Sequence, residues 1–326
     1  MGSIPHVVEN CMGFLQLLSD GTVLRAKNID SHMPPIVEDT SVIFKDAVFD
    51  ENHDLHLRLY KPTLPPPFPS KLPIIIFIHG GGFCFGTRDS SYCHNCCLRL
   101  ASGLKAVVVA PDYRLAPEHR LPAAMEDAVS AMKWLQAQAL MSRNIVDTWL
   151  DGGEVDFERV FVLGDSSGGN MAHHLAVQFG AGSPELRPVW VRGYVLMAPF
   201  FGGVVRTKSE EGPSEATLNL ETLDRFWRLS MPIGETRDHP LANPFGPLSP
   251  SLKPLTLDPI LVIAGAKELL KDRAEDYAKR LKQMGKMIEF VEFQGKEHGF
   301  FTHDPYSDVS NETLQLIERF MIESSS

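Results

Sequence analysis

The sequence predicts an α/β protein built on a mainly parallel sheet with helices on both faces. Three features of the chain point there. Short continuous apolar runs recur, as strands buried on both faces require. They alternate with stretches of helical periodicity. One of them runs straight into Gly164-Asp165-Ser166-Ser167-Gly168-Gly169, a glycine-rich turn that opens a helix. The 326 residues contain no internal repeat and no long low-complexity stretch, and one α/β domain can run to this length.

The elements follow in order. Residues 1–40 do not fit the alternation and form a candidate N-terminal cap segment, ahead of a catalytic domain over 41–326. Residues 41–48 and the period-2 run Leu55-His56-Leu57-Arg58-Leu59-Tyr60 are expected to be an antiparallel pair. Leu64-Pro65-Pro66-Pro67-Phe68-Pro69 reads as a stiff connector. Next come a strand at Ile74–Ile78, a helix near 91–102, a strand at Ala106–Ala110 stopped by Pro111, and a helix near 122–138. Arg159–Leu163 is a strand, 168–179 a helix, and Tyr194–Met197 and Ile260–Ala264 are strands. An amphipathic helix at 271–284, a strand at Met287–Phe293 and a helix near 310–322 complete the chain. Residues 200–250, rich in Pro and Gly with a helix-like stretch at Leu218–Leu229, form a second candidate cap, inserted over the site.

Charge and composition exclude several functions. A net charge of −10 argues against nucleic-acid binding, which needs basic patches to neutralise phosphates, and against adsorption to anionic membranes. No apolar run has the roughly 18 residues a membrane helix needs. With no charged-then-apolar leader, the cytoplasm is the expected compartment, with the nucleus second. Met1-Gly2 raises myristoylation, but His6 stands where that motif wants Ser or Thr. The triplet Asn311-Glu312-Thr313 is a glycosylation site by spelling only. Cys93, Cys96 and Cys97 lack the second Cys or His pair of a zinc site and, with Cys11 and Cys84, read as reduced thiols.

The turn Gly164–Gly169 fits G-x-S-x-G between strand and helix. A serine there sits on a sharp, strained turn, so its neighbours must be small. The helix that follows points its N–H groups at the site. His79-Gly80-Gly81-Gly82 ends the Ile74–Ile78 strand. A tetrahedral intermediate needs backbone donors converging on its oxyanion, and glycine lets a bulky acyl group approach them. Gly81, Gly82 and Ser167 are the expected donors. His298, in the loop after the last strand, is the candidate base for Ser166, with His303 as rival. His79, His173 and His174 are expected to be structural. The base needs a carboxylate to fix its tautomer. Glu268 comes first after the Ile260–Ala264 strand, and Asp272, a helical turn later, is the fallback. A histidine base must be neutral, so the rate should fall as pH drops through roughly 6.5.

The pairing of His79-Gly80-Gly81-Gly82-Phe83 with Gly164-Asp165-Ser166-Ser167-Gly168-Gly169-Asn170 resembles the hormone-sensitive-lipase branch of the α/β-hydrolases. Tyr113-Arg114-Leu115-Ala116-Pro117-Glu118 is a segment that recurs there as a structural loop. The likeness covers nearly the whole chain. Cys11–Leu18 and Phe200-Phe201-Gly202-Gly203 look most like the plant carboxylesterases of the strigolactone-degrading carboxylesterase 15 type. The resemblance implies an α/β-hydrolase fold and a serine carboxylesterase that needs neither metal nor organic cofactor. It also implies a strigolactone substrate, split into a tricyclic part and a butenolide fragment. The chain departs from many relatives in carrying Glu268 where they carry Asp. Gibberellin receptors resemble the same branch without the catalytic histidine, so Ser166 together with His298 favours turnover. A broad detoxifying esterase and a hormone-sequestering receptor are the alternatives. Phe14, Leu18, Phe226 and Trp227 are expected to line a pocket for a small apolar ester or lactone.

Overall fold

The computed structural model describes residues 4–26, 34–63, 71–141, 147–151, 153–212 and 218–325. Met1-Gly2 and the proline-rich run over 64–69 lie outside the described residues. Three short strands come first, β1 (Val7–Cys11), β2 (Leu15–Leu18) and β3 (Val23–Arg25), paired antiparallel in a sheet of their own. The described part of the N-terminal segment is thus β-structure. The helix expected within 200–250 is present at Leu220–Ser230.

An eight-stranded sheet forms the body. Its strands are β4 (Val42–Asp50), β5 (Leu55–Pro62), β6 (Leu72–Ile78), β7 (Val107–Pro111), β8 (Val155–Asp165), β9 (Val191–Met197), β10 (Ile260–Gly265) and β11 (Ile288–Phe293). Their order across the sheet is β11-β10-β9-β8-β6-β7-β5-β4. β6 to β11 pair in parallel; β4 and β5 form the antiparallel edge. The helices are α1 (Ser91–Leu104), α2 (Ala123–Leu140), α3 (Ser167–Phe179), α4 (Leu220–Ser230), α5 (Lys271–Gln283), α6 (Phe300–His303) and α7 (Asp308–Ser324). Several boundaries differ from expectation by a few residues, β9 starting at Val191 rather than Tyr194 and β6 at Leu72 rather than Ile74; two others have a plain cause. Pro111 is the last residue of β7 rather than its stop, set opposite Leu57 where the ladder ends. β8 starts four residues before its apolar run, because Val155 and Asp156 pair with Leu72 and Pro73 ahead of a register shift.

The apolar runs are continuous because each strand feeds two cores. Ile74, Ile76 and Ile78 pack on one face with Val107, Val109, Val160, Val162, Val262 and helices α2, α3 and α5. Ile75 and Phe77 pack on the other with Val108, Phe161, Leu163, Ile263 and helices α1 and α7. Parallel strands with two buried faces leave their C-terminal ends as the shared edge where loops converge. No helix among the described residues is long and apolar enough to cross a membrane.

Candidate active site

Four loops meet at that edge, from the ends of β6, β8, β10 and β11. Ser166 joins β8 to α3 with φ 53° and ψ −113°, a positive φ that few side chains adopt. Both flanking glycines are sterically forced. A Cβ on Gly164 would lie 2.1 Å from the Gly168 carbonyl oxygen, and one on Gly168 would lie 2.0 Å from the Ile78 carbonyl oxygen. The turn is held by hydrogen bonds from Ser166 N–H to the Met197 carbonyl (2.8 Å) and from Phe200 N–H to the Ser166 carbonyl (2.8 Å).

His298 Nε2 lies 3.0 Å from Ser166 Oγ, and His298 Nδ1 lies 3.0 Å from Glu268 Oε2. A carboxylate only accepts, so Nδ1 carries the proton and Nε2 is free to accept from the serine hydroxyl. Glu268 is 1% exposed, and its other oxygen accepts the Gly265 N–H at 3.1 Å. Gly265 also lets the His298 loop approach, since a Cβ there would meet the Lys296 carbonyl oxygen at 2.4 Å. Lys267 N–H donates to that same carbonyl at 2.9 Å. Asp272 lies elsewhere: at the start of α5, it accepts the Ser209 N–H at 2.8 Å.

The glycine loop after β6 passes beside the serine. Gly81 and Gly82 have φ of 122° and 58°. A Cβ on Gly82 would sit 2.5 Å from Phe226 Cγ of helix α4, so bare backbone is what fits beneath that helix. Ser167, whose N–H opens α3, follows the nucleophile candidate directly. His79 lies beneath, stacked on Tyr113 at 4.3 Å, with Nδ1 donating to the Gly80 carbonyl at 2.7 Å. Burial lowers its pKa, which keeps the ring neutral.

A cavity of about 610 Å³ opens over these groups. Its apolar wall includes Phe14, Phe85, Phe200, Leu218 and Phe226. Phe85 packs between Phe14 of the N-terminal segment and Phe226 of α4, with ring centroids 5.3 Å and 5.7 Å away. Glu9 ties the N-terminal sheet to α4 through Arg225 (2.9 Å) and Arg228 (2.8 Å). Two expected lining residues are elsewhere. Leu18 ends β2, half-buried, four residues and roughly 13 Å of extended chain beyond Phe14. Trp227 follows Phe226 on α4, and adjacent helical residues point about 100° apart. Its ring is buried behind the wall, stacked on Phe200 at 4.1 Å. His303 is at the cavity wall, while His173 bonds the Tyr277 hydroxyl at 2.9 Å and His174 the Leu241 carbonyl at 3.3 Å. All five cysteines are buried free thiols.

Sequence reasoning passed over Asp165, the variable position of G-x-S-x-G. It is buried and lines the cavity, and burial raises its pKa from 3.8 to about 6. Thr302, on α6 just past His298, donates to it at 3.3 Å. An acid next to the serine of the G-x-S-x-G turn was the available signal. Tyr92 was also missed, being hidden in the apolar pattern of α1.

Comparison with known proteins follows the same lines. A family model described as alpha/beta hydrolase fold matches residues 75–302. A 3-O-acetylpapaveroxine carboxylesterase of Papaver somniferum is 36% identical over 286 residues, 85% of this chain and 88% of its own. A gibberellin receptor of Arabidopsis thaliana is 33% identical, over 86% of this chain and 82% of its own. Among solved structures, the thermostable carboxylesterase EstE1 from a metagenomic library aligns with a TM-score of 0.71 at 31% identity, over 90% of each chain.

Proposed function

We propose that this chain, which belongs to the α/β-hydrolase-fold family and is a carboxylic ester hydrolase, works through an acyl-serine intermediate on Ser166. The observation that carries the reading is the continuous hydrogen-bonded line Ser166–His298–Glu268, 3.0 Å at each step, opening into an apolar cavity. Ser166 Oγ attacks the ester carbonyl carbon as its proton passes to His298 Nε2. The oxygen that gains the charge is met by the N–H groups of Gly81, Gly82 and Ser167, each worth roughly 3–4 kcal/mol in the transition state. Collapse expels the alcohol, which takes the proton from His298. Water then attacks the acyl carbon, giving its proton to His298, and the acid leaves as Ser166 regains its own. Glu268 holds the imidazole in the tautomer that can accept and steadies its charged form.

For substrate, the reading is an uncharged, ring-bearing ester or lactone, and specifically a strigolactone. The wall supports an uncharged ligand: neither lysine nor arginine stands among its described residues, and Asp165 would repel an anion. The aromatic faces of Phe14, Phe85, Phe200 and Phe226 suit flat or fused rings. A receptor reading draws on the likeness to a gibberellin receptor.

The test is product formation from a synthetic strigolactone, followed by mass spectrometry, with Ser166→Ala as the blank. Many equivalents of butenolide from the native protein and none from the variant are expected. One equivalent or less, with a protein-bound adduct, overturns turnover in favour of the receptor. Inertness toward the strigolactone beside brisk cleavage of a chromogenic ester removes the hormone and leaves a broad esterase.

A further inference from the structure

We propose that Tyr92 is a positioning residue that fixes the Gly80–Gly81 peptide so that the Gly81 N–H faces the cavity. The inference rests on the acyl-serine reading above. In a trans peptide the C=O of one residue and the N–H of the next point in opposite directions. Whatever grips the Gly80 carbonyl therefore aims the Gly81 N–H. Glycines at 80, 81 and 82 give this peptide little intrinsic preference. Rotated by half a turn, it would present a carbonyl oxygen to the oxyanion, and the site would repel the charge it has to stabilise. The orientation must come from the groups that grip the Gly80 carbonyl.

Three donors supply it. The Gly80 carbonyl accepts from His79 Nδ1 at 2.7 Å, from the Tyr92 hydroxyl at 3.1 Å and from the Tyr113 hydroxyl at 3.4 Å. Tyr113 also reaches the His79 carbonyl at 3.1 Å and Ser167 Oγ at 3.4 Å, so its hold on Gly80 is shared. The Tyr92 hydroxyl has the Gly80 carbonyl as its one hydrogen-bond partner among the described residues. The ring is 5% exposed and sits in the first turn of α1, so the bond is shielded from water and anchored on a rigid element. Gly86 packs against the same grip: a Cβ there would lie 2.2 Å from the Tyr92 hydroxyl oxygen, 2.8 Å from His79 Nδ1 and 3.0 Å from the Gly80 carbonyl oxygen.

Tyr92 also borders the cavity, so a direct contact with substrate has to be told apart from positioning. The experiment measures Tyr92→Phe on a short-chain 4-nitrophenyl ester, together with the affinity of a trifluoromethyl ketone that forms a tetrahedral adduct with serine. Positioning predicts that kcat falls about tenfold, with KM within about twofold, since the hole acts only on the tetrahedral state. Ketone affinity should fall by the same factor. Unchanged kcat overturns the proposal, and so does a raised KM at unchanged kcat, which would make the phenol a substrate contact. Gly86→Ala is the second variant: its Cβ would crowd the Tyr92 hydroxyl, His79 Nδ1 and the Gly80 carbonyl together, so it disturbs the whole grip on that carbonyl while keeping the tyrosine, and a kcat loss at least as large as that of Tyr92→Phe is expected. Failure of the parent reading is separable: hydrolysis that persists in Ser166→Ala overturns the acyl-serine mechanism, whereas its loss there beside full kcat in Tyr92→Phe overturns the role of Tyr92 alone.

Discussion

Asp165→Asn should make the protein more stable at neutral pH than in acid, relative to the native chain. Burial raises the Asp165 pKa from 3.8 to about 6. A carboxyl with a raised folded-state value binds its proton more tightly in the native state. Its favourable contribution is therefore complete below about 3.8 and is lost as pH rises through about 6. Above that range the native state holds a buried charge that the unfolded chain would leave in water, a difference of ~3 kcal/mol. Asparagine keeps an oxygen to accept the Thr302 hydroxyl, 3.3 Å away, and never ionises. Between pH 4.5 and 7.5 the unfolding free energy of the variant should thus gain roughly 2 kcal/mol on that of the native chain. Urea titrations across that range, extrapolated linearly, measure it. Asp258, also raised to about 6, is common to both proteins and cancels. Stability curves that run parallel across the range would refute the reasoning.

Four further outcomes are expected. Glu268→Gln should cut kcat by about 10³–10⁴-fold through the wrong imidazole tautomer, while Asp272→Asn, whose carboxylate accepts the Ser209 N–H, should leave kcat within twofold; steady-state kinetics on one ester compares them. Gly82→Ala, with φ at 58° and a Cβ 2.5 Å from Phe226 Cγ, should cost about 1–3 kcal/mol in a urea titration and lower activity with it. Glu9→Gln, removing the carboxylate shared by Arg225 and Arg228, should raise KM for bulky esters more than for acetyl esters. Added salt should narrow that difference. Phe226→Ala should lower kcat/KM for an aromatic ester by about tenfold or more, with little effect on an acetyl ester.

The sheet was legible because its rule is local. A strand buried on both faces needs an unbroken apolar run, and Ile74–Ile78 and Ile260–Ala264 have one. Ser166 was legible because a strained turn demands small neighbours at fixed offsets, and Gly164 and Gly168 are visible as letters. Glu268 and His298 were reachable through strand order, since each follows its own strand. The N-terminal segment and α4 were harder to read. The N-terminal segment forms β1–β3 with no strong alternation, because its pairing is held by contacts to α4 and by Arg25, which donates to the Cys84 and Ala116 carbonyls and to Glu118. Phe226 and Trp227 are equally apolar, and only the direction of α4 decides which one faces the cavity. Asp165 was passed over because its importance lies in burial, which a single letter does not state.

β11, whose loop bears His298, is one of the two edge strands of the sheet and is half-buried along its whole length. Ser166 follows β8, three strands further in. Edge strands open at lower free energy than the strands they flank. On heating, detachment of β11 would separate imidazole from hydroxyl while the central strands and their two cores stay intact. Hydrolysis should therefore fade at temperatures where circular dichroism still reports a folded protein, and return on cooling. In this architecture, the ester assay acts as a thermometer for one strand.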